Sequence, residues 1–291
     1  MKKLWQYFQY LAAISAGKLI SLLPRNWFFP VSRAIARLLY PIPQLGGVTL
    51  ENLRVAFPEK TEKEQRRIAM ASLANLVLVL LEFFWIPRHK NFLQQQVEML
   101  DDEKKELDSF SVDPENGLML ITPHHGNWEF AGQYLPTMFH CKVATVVRTP
   151  QNPYIGQFLT KHRAIDDVEI IESKGAARGM LKALKEGKAL GLLIDQNCRV
   201  RDSGIFVNFF GLPVPVTAFP AHLARTRGLR VRIGGIYHDG HRLVMRKFCL
   251  PKEPSEYTSD EELTQAFIKI IEDIVREHPE QYLWMYRRFQ Y

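Results

Sequence analysis

His124 and Glu129 stand five positions apart in the stretch His124-His125-Gly126-Asn127-Trp128-Glu129. An imidazole and a carboxylate at that spacing can pair when the chain bends between them. The carboxylate holds one ring nitrogen, fixes the tautomer and stabilises the imidazolium, while the other nitrogen takes a proton from a hydroxyl. The bend is written into the flanking residues. Gly117 to Thr122 is an apolar run that reads as a buried strand, Pro123 ends it, and a helix start follows from Asn127. The pair therefore sits where a strand tip turns into a helix. In open α/β sheets the crevice beyond the strand C-termini is where ligands bind. Gly126 permits a tight turn, and Asn127 and Trp128 shape and pack beneath it. His125 is the competing base, should the strand run one residue further.

Two more strand tips carry polar side chains. Arg148 ends the next apolar run, where its guanidinium can bind a phosphate or a developing oxyanion, with Asn152 placed to fix the same loop. Asp195 and Gln196 end the run Leu190 to Ile194. A carboxylate there is either an active-site orienter or the buried partner of an arginine. The loop beyond carries Arg199 and Arg201, then Phe206, Phe209 and Phe210. Cations beside aromatics suit a lipid with phosphate heads and apolar tails.

The elements that must position these residues follow from periodicity. Strands are predicted at 117–122, 142–148, 168–171, 189–195, 230–237 and 242–248. Helices are predicted at 127–137, 153–164, 175–186, 216–227 and 259–277. The alternation argues for an α/β fold, a mixed sheet flanked by helices. Asp239-Gly240 joins the last two strands as a hairpin, making that edge antiparallel. Residues 1–90 read as an N-terminal helical region and 91–291 as the α/β domain. Leu73 to Trp85 is apolar, interrupted by Asn75 and Glu82, and reads first as a core helix under the sheet and second as a lipid-facing wall.

The 291 residues carry a net charge of +7 and a pI near 9.2, which favours an anionic partner. No aromatic RNA-binding signature, zinc-finger spacing or basic recognition helix is present, so nucleic acid ranks below a membrane surface or a phosphorylated substrate. Cys141, Cys198 and Cys249 are too few and too scattered for a disulfide framework. Residues 4–23, preceded by Lys2 and Lys3, form an apolar, aromatic-rich segment about as long as the ~20 residues a membrane span needs. Lys18 lies inside it, so an interfacial anchor ranks ahead of a single span and of a signal peptide. No Gly-x-Ser-x-Gly elbow, Gly-x-x-x-x-Gly-Lys-Ser/Thr loop, Gly-x-Gly-x-x-Gly or His-Glu-x-x-His helix occurs.

The wider motif His124 to Glu129 resembles the signature of the bacterial lipid A late acyltransferases, within the glycerolipid-type acyltransferases that share His-x4-Asp/Glu. Four further segments agree in order: Asn52 to Pro58; Val147 to Asn152; Leu193 to Gln196 followed by Phe209 to Pro213; and Tyr282 to Phe289. The resemblance covers nearly the whole chain. It implies a glycerolipid acyltransferase-like fold and favours His124 over His125 as base, with Glu129 as its partner. Arg148, Asn152, Asp195, Gln196, Arg199 and Arg201 are the candidate substrate-binding residues. The implied reaction moves a fatty acyl chain from acyl carrier protein, or acyl-CoA, to a hydroxyl of a membrane glycolipid, foremost a lipid A precursor. It requires no cofactor and no metal. The implied location is the cytoplasmic face of the inner membrane. A lysophospholipid or phosphatidylinositol mannoside acceptor is the alternative within the class. A non-catalytic membrane-lipid-binding protein is the alternative outside it.

Overall fold

The apolar runs predicted as strands assemble into one seven-stranded sheet. The structure is a computed structural model and describes residues 2–100, 117–164 and 167–290. Its strands are β1 (Val97–Glu98), β2 (Leu118–Ile121), β3 (Val143–Val147), β4 (Val168–Glu172), β5 (Ala189–Leu192), β8 (Arg230–Asp239) and β9 (Arg242–Phe248), in the order β1-β9-β8-β2-β5-β3-β4. From β8 to β4 every neighbouring pair is parallel. β8 and β9 form the antiparallel hairpin expected at Asp239-Gly240, and β1 then adds a parallel strand outside β9.

Every residue of β2 is buried, as a central parallel strand requires. Its side chains alternate between two cores. Leu118 and Leu120 pack with Phe28, Trp85, Phe130 and Met138 on one face. Met119 and Ile121 pack with Leu53, Phe267, Ile271 and Trp284 on the other. The flanking helices after β2 are α5 (Trp128–Met138), α6 (Pro153–Arg163), α7 (Ala176–Lys185), α8 (Phe219–Arg227) and α9 (Asp260–Glu277). All begin and end within three residues of their predicted bounds.

Besides the two-residue β1, a pair of strands departs from the expectation. Residues 212–217 precede α8 as a strand, β7 (Leu212–Thr217), paired antiparallel with β6 (Gly204–Phe209) in a separate two-stranded sheet. Pro213 and Pro215 disguise this strand, because proline cannot donate to a ladder and is confined to edges. The turn between them places both Phe210 (φ 52) and Gly211 (φ 81) in the left-handed region. A two-residue hairpin turn of that type usually shows Asn-Gly or Asp-Gly, and Phe-Gly gives no such signal.

Four helices precede the large sheet's main body: α1 (Lys2–Ile20), α2 (Phe28–Leu39), α3 (Val48–Ala56) and α4 (Glu62–Gln95). α4 is long and apolar enough to cross a membrane, but Leu73, Val77, Val79, Phe83 and Ile86 are buried inside the protein. It is the core helix of the first reading. Its internal Pro87 is followed by a break at His89, where the backbone leaves helical geometry. Glu82, fully buried on α4, accepts hydrogen bonds from Arg25 Nε (2.6 Å), Asn127 Nδ2 (2.6 Å) and His238 Nε2 (2.8 Å). Burial alone would raise this carboxyl; His238 and Arg25 outweigh it and hold the group below its ordinary range. Asn75, two turns earlier, donates to the carbonyls of Gly126 and Gln281, both at 3.1 Å. The polar interruptions of an apolar helix thus fix the turn that carries the motif.

Candidate active site

The turn His124 to Asn127 is held by backbone pairing from both sides. His124 O accepts from Leu283 N (3.0 Å), Gly126 N donates to Gln281 O (3.1 Å) and Asn127 N donates to Ile236 O (2.7 Å). Gly126 has φ 61, and a Cβ there would stand 2.1 Å from the Ile236 carbonyl oxygen, so glycine is required twice over. Asn127 then caps α5 by accepting from Phe130 N at 3.0 Å.

Strand register decides what His124 meets. Ile121 of β2 lies opposite Leu192 of β5, and three residues beyond each come His124 and Asp195. The buried Asp195 carboxylate takes the His124 backbone N–H at 2.9 Å and the ring Nδ1 at 2.7 Å. Burial would raise this carboxyl, but the His124 contacts outweigh it and keep Asp195 below the usual range. With Nδ1 donating to a carboxylate, Nε2 is the basic nitrogen. It accepts from the Gln196 amide at 3.2 Å.

Glu129 is engaged elsewhere. Arg163, the last residue of α6, grips it with Nε at 2.9 Å and Nη2 at 2.5 Å. The two carboxylates expected near the base therefore have different partners: Asp195 holds His124, and Glu129 holds Arg163. Asp195 thus bonds His124, and no arginine hydrogen bond to it is seen among the described residues. Arg288 also lies within electrostatic reach of it.

His125 is differently placed. It is buried, its Nε2 bonds the His278 carbonyl at 2.9 Å, and its backbone bridges to Tyr282. Burial pushes it down to about 4. Gln196, the partner of His124 Nε2, lines a cleft of about 1410 Å³ together with Arg148, Lys174, Arg199 and Arg287. Its apolar wall includes Met180, Leu192, Ile194, Phe206 and Phe219.

The comparison with known proteins assigns the architecture. Residues 2–291 match the bacterial lipid A biosynthesis acyltransferases. The chain belongs to that family. It is 25% identical over 250 residues to the lipid A biosynthesis palmitoleoyltransferase of Escherichia coli (strain K12), covering 84% of this chain and 78% of that protein. It is 27% identical over 253 residues to the lipid A biosynthesis lauroyltransferase of the same organism, covering 82% and 77%.

The structure brings together some of the predicted site residues and not others. His124, Asp195 and Gln196 stand together, and Arg148 and Arg199 share the cleft wall with Gln196. Arg201 is exposed beside Asp202 at 3.9 Å. Asn152 caps α6 by accepting from Tyr154 N (3.1 Å) and donates to Gln6 O of α1 at 2.9 Å. It ties α1 to the sheet domain.

Sequence reasoning missed Arg163, which reads there as an ordinary helix-terminal cation, and Lys174. In the sequence Arg287 and Arg288 read alike, either as cations for a lipid phosphate or as neutralisers of acidic helix residues, and the structure separates them by burying Arg288. The signal for Arg288 lies in the company it keeps, among Tyr282, Trp284, Tyr286 and Phe289.

The depressed value of His125 predicts acid sensitivity. Its folded value of about 4 lies below the ordinary 6.5, so the unfolded chain binds the proton first as pH falls. This stability is present in full above about 6.5 and is lost between there and about 4. Between pH 7.5 and 5 the loss should be roughly 2 kcal/mol. His125→Gln retains a donor for the His278 carbonyl and should lose that much less over the same interval. Denaturant unfolding at the two pH values checks it, and equal losses in both proteins would rule it out.

Proposed function

We propose that this chain transfers a fatty acyl group from a thioester of acyl carrier protein, or of coenzyme A, to a hydroxyl of a lipid A precursor at the membrane surface. The observation that carries the mechanism is the bond from His124 Nδ1 to buried Asp195, with Nε2 bonded to Gln196 of the cleft wall. His124 is the general base and Asp195 fixes its tautomer and steadies the imidazolium. The acceptor hydroxyl takes the place at Nε2 where the Gln196 amide now donates. The hydroxyl gives its proton to Nε2 while its oxygen attacks the thioester carbonyl. The tetrahedral species collapses, the C–S bond breaks, and the thiolate takes the proton from His124. No acyl-enzyme is required. Glu129 supports the site through Arg163, whose fixed guanidinium lies one helix beyond the turn.

The cleft suits an amphiphile with phosphate groups. Arg148, Lys174, Arg199 and Arg287 line it against an apolar wall, with Asp202 as the acid on that lining among the described residues. Arginine forks match phosphate oxygens bidentately. The acyl chains of donor and acceptor would lie along the Phe206 and Phe219 side.

The N-terminal region, residues 1–90, would associate with the membrane through residues 4–23. Leu4 (75% exposed), Trp5, Phe8 and Leu19 stand out of α1, with Leu22, Trp27 and Leu38 beyond it. The other face packs on the protein: Tyr7 and Tyr10 meet Tyr154, and Gly17 meets Phe84. A helix docked along one face and apolar on the other suits the interface better than a span. Lys2 and Lys3, together with a thioester made in the cytosol, support a location on the cytoplasmic side of the inner membrane.

His124→Ala should keep the fold and lose ~10²–10⁴ in rate. Asp195→Asn should fall in the same range, and the double variant should be little worse than the worse single, because the two act as a unit. Glu129→Gln should be additive with His124→Ala if it acts only through Arg163. Turnover near wild type by folded His124→Ala protein, measured as thioester consumption with lipid acceptor, sinks the assignment.

Arg148→Lys should already be impaired, since an ammonium cannot reproduce the planar fork. Kinetics with phosphorylated and dephosphorylated acceptor test this. Equal losses on both acceptors would argue against phosphate recognition.

Removing residues 1–24 should shift the protein towards the soluble fraction with the His124 site still formed. High salt should strip the full-length protein only partly, because apolar burial persists when charge is screened. Complete release by salt would show that α1 is not buried in lipid.

A further inference from the structure

The C-terminal segment 282–289 is folded against the strand tips, and one of its cations has no ordinary reason to be inside. Arg288 is 1% exposed. Its Nη1 donates to Asn197 Oδ1, and its guanidinium lies over the Phe209 ring at 5.2 Å. Nε and Nη2 are buried with no hydrogen-bond partner among the described residues. Taking a guanidinium out of water costs several kcal/mol, and a fold keeps such a charge where an opposite charge answers it. The carboxylate in reach of Arg288 is Asp195, two positions before Asn197. Tyr286 tightens the arrangement by accepting from Asn197 N through its hydroxyl at 3.0 Å. The loop Asp195 to Asn197 is thus held by His124 on one side and by the C-terminal segment on the other.

We propose that Arg288 is a positioning residue for the reaction, a buried cation that keeps Asp195 ionised and aimed at His124. The proposal rests on the assignment of His124 as base. The titratable groups around Asp195 are His124 and His125 from the β2 turn, with Tyr282, Tyr286 and Arg288 from the C-terminal segment. Tyr282 is held neutral, because burial drives its hydroxyl well above the ordinary value. Arg288 is therefore the group that supplies positive charge from that segment. The working state of the pair is a neutral His124 beside an ionised Asp195, with a net charge of −1. A nearby cation favours that state over its protonated form. Removing the cation makes the pair hold a proton to higher pH, so the acid limb of activity moves up.

The experiment measures kcat and KM against pH for Arg288→Gln, which keeps a polar side chain beside Asn197 without the charge. The acid limb should rise by about 1–2 pH units. At a pH on that limb kcat should fall about tenfold per unit of rise. KM for donor and acceptor should stay unchanged, since Arg288 does not line the cleft. Arg288→Lys restores the charge and should return the limb towards the wild-type position. A merely structural role would lower the amount of folded enzyme and leave the limb where it is, and that result overturns the proposal. If Arg288→Gln does not fold, Asn197→Ala decides. Its backbone and Tyr286 contact stay, but the guanidinium loses its one hydrogen-bond partner among the described residues and is no longer held towards Asp195, so the limb should move the same way by less, and an unmoved limb overturns the proposal. Activity surviving in His124→Ala would fail the base assignment itself. An inactive His124→Ala with an unmoved limb in the Arg288 variants fails this proposal alone.

Discussion

The site depends on one buried carboxylate. Asp195 uses one oxygen for the backbone of His124 and the other for its ring. The first bond fixes where the turn leaves β2, and the second fixes which nitrogen of the imidazole is basic. A carboxylate this deep is tolerable only when its charge is answered from several directions. The parallel pairing of β2 with β5 delivers the histidine, and the C-terminal segment delivers a guanidinium. Two pieces of chain far apart in sequence must dock before His124 and Asp195 have these surroundings.

A second buried charge does the same work from below. Glu82 gathers Arg25, His238 and Asn127 into a network under the motif turn. Arg25 follows α1, His238 lies near the end of the long strand β8, and Asn127 caps α5. One side chain thus ties the N-terminal helices, the hairpin edge and the motif turn. Removing one member of a buried ionic network typically costs about 3–5 kcal/mol, because the partner is left uncompensated. This explains why an otherwise apolar helix carries Asn75 and Glu82 on its inward face.

The molecule presents two apolar regions with different fates. α4 has the hydropathy of a membrane span and spends it inside the protein. α1 is less uniformly apolar, yet it leaves Leu4, Trp5 and Phe8 exposed. Hydropathy counts apolar residues, while the membrane sees only those that the tertiary structure leaves uncovered. Asn152 bonds α1 to the loop after β3, so the apolar surface and the cleft belong to one body.

Read alone, the sequence determined the alternation of strands and helices, the strand tips that bear chemistry, and the family through five blocks in order. These are local signals of periodicity, turn residues and short motifs, and each was legible within a few residues. The β6–β7 hairpin was not legible, because its prolines and its Phe-Gly turn hide the usual signs. Spacing along the chain also suggested Glu129 as the partner of His124, since only sequence neighbours are visible there. Tertiary structure decided otherwise for the hydrogen bond. Asp195 is 71 residues away and meets His124 because β5 lies beside β2 in a set register. Glu129 sits in the first turn of α5 and meets Arg163 at the end of α6. The contrast between buried Arg288 and exposed Arg287 has the same origin. Adjacent residues of one type are separated by which side of the segment faces the core, and that is settled only when the segment docks.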